Sequence, residues 1–125
     1  MSRLLVDTHA VLWWLSEDKA LSPRAYAAIA DPSTEPCVSI ASLWEIAIKC
    51  STGKLTAEDD LPAILAEEGF AWLPVSTAHV WEVRALPLHH RDPFDRLLVA
   101  QALTERLPVV TADQHFAAYG VDVRW

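Results

Sequence analysis

The sequence predicts an α/β fold: a parallel sheet with helices on both faces. Three observations lead there. Apolar runs of strand length, about four to six residues, alternate along the chain with segments of helical period. The 125 residues are 52% hydrophobic, enough for one well-buried core and too few for two. No repeat, low-complexity tract or linker interrupts the pattern, so one domain over residues 1–125 is expected.

The first strand is Arg3-Leu4-Leu5-Val6, ended by Asp7-Thr8, after which Ala10, Val11, Trp13, Trp14 and Leu15 form a helical pattern. Ser22 and Pro23 open a second helix as cap and first residue, and Asp31-Pro32-Ser33 stops it. A strand over 36–39 leads into a helix over 40–50, closed by Ser51-Thr52-Gly53. A fourth helix opens near Asp60-Leu61-Pro62 and runs to Glu68, before Gly69. Residues 71–75 read as a strand and 77–85 as a helix capped by Thr77. After the loop Leu88-His89-His90-Arg91, Asp92 and Pro93 start the central helix, in which Phe94, Leu97, Leu98, Ala102 and Leu103 recur at helical spacing. A strand over 107–110, a short helix over 111–118 and a strand over 121–124 complete the chain.

Composition narrows the function. A net charge of −7 argues against gripping nucleic acid through a general basic surface. An acidic chain that handles phosphates needs metal ions, a few placed arginines or a second subunit. Cys37 and Cys50 read as reduced, buried thiols, with no Cys/His zinc pattern around them. Asp7 and His9 interrupt the first apolar run, so it does not read as a signal peptide, and no run approaches membrane length. A cytoplasmic protein without a membrane partner is expected.

Asp95 is the misfit of the central helix. At 100° per residue it lies within about 60° of Leu98, Val99 and Ala102, on the apolar face. Such a carboxylate must be cap-paired, hydrogen-bonded or bound to a cation. Ligands of doubly wound sheets collect beyond the carboxyl ends of the strands, which singles out Asp7, Ser39, Thr111 and Asp113. Each acid also has a plain explanation. Asp7 and Asp92 serve as N-caps, Asp95 and Asp113 as first-turn acids, and Glu45 as part of a solvated stripe with Ser42 and Lys49. Their conjunction is less easily explained, because Asp7, Asp95 and Asp113 would share one sheet edge at helix N-termini, with Glu45 in reach. Two carboxylates ~4 Å apart repel by roughly 4 kcal/mol at an effective dielectric of about 20. A cluster of hard oxygen donors therefore calls for protonation or a divalent cation, Mg²⁺ or Mn²⁺ rather than zinc. Metal-assisted phosphodiester cleavage is the chemistry these groups support.

Four stretches carry a resemblance: Leu5-Val6-Asp7-Thr8-His9, residues 42–49 (Ser-Leu-Trp-Glu-Ile-Ala-Ile-Lys), residues 92–102 (Asp-Pro-Phe-Asp-Arg-Leu-Leu-Val-Ala-Gln-Ala) and Val110-Thr111-Ala112-Asp113. In order, they are similar to the successive motifs of PIN-domain ribonucleases, and most similar to VapC-type toxins of type II toxin–antitoxin pairs. The resemblance implies a three-layer α/β/α fold and an endoribonuclease dependent on Mg²⁺ or Mn²⁺. It also implies an RNA substrate, an inhibitory cognate antitoxin and a homodimer. Carried over by motif, the acidic quartet falls on Asp7, Glu45, Asp95 and Asp113. Asp7, Asp95 and Asp113 are expected to hold the metal, and Glu45 to orient or deprotonate water or to ligate a second ion. Thr111 and Asp92 are supporting residues.

Other features read as structural. His89 and His90 lack further ligands around them, and His9, His79 and His115 are isolated. Arg91 and Arg96 flank the central acids, with phosphate contact and pairing to Asp92 both open. Lys49, one turn after Glu45, fits a helix ion pair. The six tryptophans read as core, except that Trp13 and Trp14, about 100° apart, cannot both face inward. One of them would then line a partner groove. Receiver domains and haloacid-dehalogenase-type phosphatases fit worse, since Asp7-Thr8-His9 lacks the phosphatases' second aspartate. The remaining alternative is a catalytically inactive PIN-like module that binds RNA or protein.

Overall fold

Strand residues of this chain alternate between two buried faces, as a sheet covered on both sides requires. A computed structural model describes residues 2–125. Its five strands, β1 (Ser2–Val6), β2 (Thr34–Ser39), β3 (Ala71–Leu73), β4 (Val109–Val110) and β5 (Val123–Arg124), are all parallel in the order β3-β2-β1-β4-β5. Leu4, Val6, Val38 and Val110 belong to one hydrophobic core, and Leu5, Cys37 and Val109 to the other. The first core is covered by α1 (Thr8–Leu15), α2 (Pro23–Ala30) and α4 (Leu61–Glu67), through Val11, Ala25, Ile29 and Leu65. The second is covered by α6 (Pro93–Glu105), through Leu98, Val99 and Ala102, with Phe116 beside them. α3 (Ile40–Ser51) serves both, giving Ile46 to the first and Ala41 to the second. The result is the expected three-layer α/β/α sandwich.

The strand order places the topological switch between β1 and β4. From β1 the chain winds outward through β2 and β3, then returns to the other side of β1. The loops after β1 and β4 therefore diverge and leave a crevice, the usual ligand position of this architecture. Asp7 follows β1, and Thr111 follows β4.

Several elements differ from expectation. Ser76, not Thr77, caps α5 (Thr77–Glu82), because the His79 side chain closes a reciprocal capping box with it. α5 then tightens into a 3₁₀ turn at Val83–Ala85 rather than continuing as α-helix. The helix expected over 111–118 is absent. The Thr111 hydroxyl accepts the Asp113 N–H and the Asp113 carboxylate accepts the His115 N–H, satisfying the backbone locally and leaving only a 3₁₀ turn at Ala117–Tyr119. Cys37 is buried, but Cys50, in the last turn of α3, is exposed. Trp13 and Trp14 both pack against the first core, while the strongly exposed tryptophans are Trp44 and Trp81.

One buried polar residue ties α6 to the sheet. Gln101 is fully buried; its Oε1 accepts the Ser39 hydroxyl at 2.6 Å, and its Nε2 donates to the Pro74 carbonyl at 3.2 Å. Gln101→Leu should cost about 2 kcal/mol in a urea unfolding titration, because two buried polar atoms lose their partner.

Candidate active site

Each acid of the expected quartet is aimed by its own local structure. Asp7 caps α1, its Oδ1 accepting the Ala10 N–H at 2.8 Å. Asp92 caps α6, accepting the N–H groups of Phe94 at 2.8 Å and Asp95 at 3.0 Å. That leaves Asp95, in the first turn of α6, free to project toward the crevice. Glu45 lies mid-α3, and Asp113 lies in the loop after β4 rather than at a helix start.

Electrostatics connects the four carboxylates, through Asp95 and Asp7. The charges of Asp92, Glu45 and Asp7 all bear on Asp95, and that of Asp113 bears on Asp7. The ring of His90 links two of them directly, with Nε2 at 2.7 Å from Asp113 Oδ2 and 3.2 Å from Asp95 Oδ2. Those two oxygens are therefore no further apart than the sum of the two contacts.

Electrostatics reports the crowding. Burial, then the neighbouring carboxylates, pushes Asp95 up to about 7, with His90 opposing. Burial also raises Asp7, against hydrogen bonds from Thr111 and Ala10. For Asp113 burial acts upward too, but hydrogen bonds from the His115 backbone and ring and from His90 outweigh it and hold the group low. Glu45 is buried, not on a solvated stripe. Its Oε2 is held by Lys49 Nζ at 2.9 Å, the expected helix pair, while its buried Oε1 has no partner. Burial of Ser42, whose hydroxyl accepts the Thr8 hydroxyl at 2.8 Å, likewise removes the solvated-face reading.

This donor set fits a divalent cation. All four acids offer hard oxygens, and an orphaned buried carboxylate oxygen is an unstable arrangement unless a cation or an ordered water completes it. The raised Asp95 makes the same point thermodynamically. Its folded-state value lies above the unfolded 3.8, so its contribution to stability is full below pH 3.8 and is lost as pH rises through about 7. In EDTA, wild type should lose about 2 kcal/mol relative to Asp95→Asn across that window, after allowance for solvent screening. Parallel thermal melts from pH 4 to 8 measure this difference, and saturating Mg²⁺ should abolish it.

His90 and Arg96 take places that their isolated sequence positions did not disclose. Arg96 does not pair with Asp92. Its guanidinium donates to the carbonyls of Val83, Leu86, Pro87 and His90 and to the Tyr119 hydroxyl, pinning the loop before α6. His90, read as a loop histidine, sits between two of the acids, and His115 Nδ1 donates to Asp113 Oδ1 at 2.8 Å. The one available signal was proximity, His90 lying two residues before the Asp92 cap. His79 is structural as expected, accepting the Ser76 N–H at 3.0 Å.

A family model described as PIN domain matches residues 4–122. The curated Ribonuclease VapC22 of Mycobacterium tuberculosis is 28% identical over 130 residues, spanning 95% of this chain and 93% of that protein. Two solved structures have similar folds at low identity. A chain of DNA-bound VapBC from Salmonella typhimurium has TM-score 0.66 and 19% identity, over 98% of this chain and 97% of that one. A chain of VapBC2 from Rickettsia felis, bound to a DNA fragment from their promoter, has TM-score 0.67 and 14% identity, over 97% and 96%. Among the described residues no helix is long and apolar enough to cross a membrane.

Proposed function

The chain belongs to the PIN domain family, and from that premise we propose that it is a VapC-type endoribonuclease, dependent on Mg²⁺ or Mn²⁺. The observation that carries the reading is the convergence of Asp7, Glu45, Asp95 and Asp113 at the sheet's switch point, with one buried glutamate oxygen unpartnered. Asp7, Asp95 and Asp113 would hold the cation, with Thr111 steadying Asp7 and Asp92 steadying the start of α6. A bound divalent ion supplies charge neutralisation at the phosphate and a more acidic water. Glu45 has one oxygen tethered by Lys49 and the other idle, the arrangement of a base held in one rotamer. Its idle Oε1 would take the proton of the water that attacks the RNA phosphodiester in line. Glu45→Gln should cut the cleavage rate about a hundredfold while leaving the fold intact, measured by single-turnover kinetics beside circular dichroism.

We also propose that the chain is the toxin of a type II pair, working in the cytoplasm as a homodimer and inhibited by a cognate antitoxin. A relative named Ribonuclease VapC22 and fold neighbours solved as VapBC complexes support this. Ile40, Trp44 and Ile48, one per turn of α3 and exposed, offer apolar surface for a protein partner. The deciding experiment is RNA cleavage with Mg²⁺ and with EDTA, beside a Mg²⁺ titration followed by tryptophan fluorescence. Cleavage that EDTA stops supports the enzyme. RNA binding without cleavage across several RNA classes would replace it with the inactive binding module.

A further inference from the structure

We propose that His90 is a latch on the acidic cluster: its Nε2–H holds Asp113 beside Asp95 in the cation-free protein and must release Asp113 Oδ2 before a divalent ion can take that oxygen. The inference rests on reading the pocket as a cation site. It begins with the tautomer. The Asp92 N–H donates to His90 Nδ1 at 3.1 Å, which makes Nδ1 an acceptor and leaves the ring proton on Nε2. Nε2 therefore faces the carboxylates as a donor, with no lone pair to offer a metal.

The contacts then exclude joint occupancy. Nε2 lies 2.7 Å from Asp113 Oδ2, its hydrogen-bond acceptor, and 3.2 Å from Asp95 Oδ2. A Mg²⁺ ion bonded to Asp113 Oδ2 at about 2.1 Å would compete with this N–H for the same oxygen. Asp113 has no idle oxygen as an alternative. Its Oδ1 already accepts the backbone N–H of His115 at 2.9 Å and the ring Nδ1–H of His115 at 2.8 Å. Glu45 Oε1 is the contrast, buried and unpartnered.

The rest of the loop holds His90 in this place. Its N–H donates to the Tyr119 hydroxyl at 2.8 Å, and its carbonyl accepts from Arg96 at 3.3 Å. The ring lies against His115 and presents edge-on to Phe116. These anchors fix the backbone of residue 90, so the ring disengages by rotating out of its contacts with Asp113 Oδ2 and the Asp92 N–H. The imidazole thus works as an internal substitute for the ion: one N–H occupies the Asp113 oxygen that a cation takes when present.

Two measurements on the full chain test this, after removal of divalent ions. In calorimetric titrations, His90→Ala should bind Mg²⁺ about tenfold more tightly than wild type, the scale of one hydrogen bond to a charged group. His90→Gln, whose amide N–H can donate in the same direction, should move back toward wild type. In long-range ¹H–¹⁵N spectra of wild type, His90 should carry its proton on Nε2 without Mg²⁺ and keep it there at saturation, with a clear ¹⁵N shift as the Asp113 carboxylate leaves. Equal or weaker Mg²⁺ binding by His90→Ala overturns the latch. So does transfer of the proton to Nδ1 on Mg²⁺ addition, which would make the ring a ligand. If His90→Ala does not fold, the wild-type spectra still decide. Mg²⁺ binding with the expected pattern but without RNA cleavage leaves the latch standing and sinks the nuclease. Cleavage with an unchanged His90 signal does the reverse, and no Mg²⁺ binding by either chain sinks both.

Discussion

Asp95→Asn should lower metal-dependent RNA cleavage by about three orders of magnitude while raising the stability of the cation-free protein. The two effects share one cause. Asp95 is held in the first turn of α6 by the Asp92 cap beneath it, and it faces the charges of Asp92, Glu45 and Asp7. Burial and those neighbours make its ionised form costly, so it loses its proton only near pH 7. A cation reverses that balance, because ionised Asp95 then becomes a ligand. Asparagine keeps the shape and the α6 start but contributes no charge, which removes both the repulsion and the ion's anchor. Single-turnover cleavage with Mg²⁺ and thermal melts in EDTA measure the two halves. Retained metal-dependent cleavage at the wild-type rate would remove Asp95 from the mechanism. A melting point lower than wild type in EDTA would mean that the pocket is not electrostatically strained.

Arg96→Ala should destabilise the protein by about 3 kcal/mol and reduce cleavage along with it, although Arg96 touches none of the four acids. Its guanidinium gathers the carbonyls of Val83, Leu86, Pro87 and His90 and the Tyr119 hydroxyl. These come from the 3₁₀ turn after α5, the loop before α6 and the 3₁₀ turn before β5. Tyr119 in turn donates to the Pro87 carbonyl at 2.8 Å and accepts the His90 N–H. Removing the arginine leaves several half-buried carbonyls without their donor and frees the loop that carries His90. Arg96→Lys should rescue little, because a single ammonium cannot reach a fan of acceptors that the five-donor fork spans. Urea unfolding of both variants is the measurement. A loss below about 1 kcal/mol in Arg96→Ala would show that the loop is held by its apolar contacts instead.

Much of this molecule was legible in order along the chain. Buried parallel strands read as apolar runs, and Ser22-Pro23 and Asp92-Pro93 announced helix starts because capping chemistry is local. The lone acid on the apolar face of α6 pointed to the pocket, since a carboxylate there must have a partner. What failed were inferences in which two local solutions compete. The stretch after Val110 has helical residues, but the Thr111 hydroxyl and Asp113 carboxylate capture the nearby N–H groups and turn it into a loop. Glu45 reads as solvated by its spacing from Ser42 and Lys49, yet α3 packs so that Ser42 and Glu45 are buried.

By itself, then, the sequence determined the alternation of strands and helices, the helix caps and the acids that stand at strand and helix ends, because each depends on a few neighbouring residues. Only the tertiary structure decided that the charges of these acids bear on one another, that Glu45 keeps an unpaired oxygen and that Arg96 holds the loop before α6. It alone put the ring of His90 between Asp95 and Asp113. Those facts depend on the strand order, which brings residues 7, 95 and 113 to one crevice, and no spacing along a chain encodes a distance across a sheet.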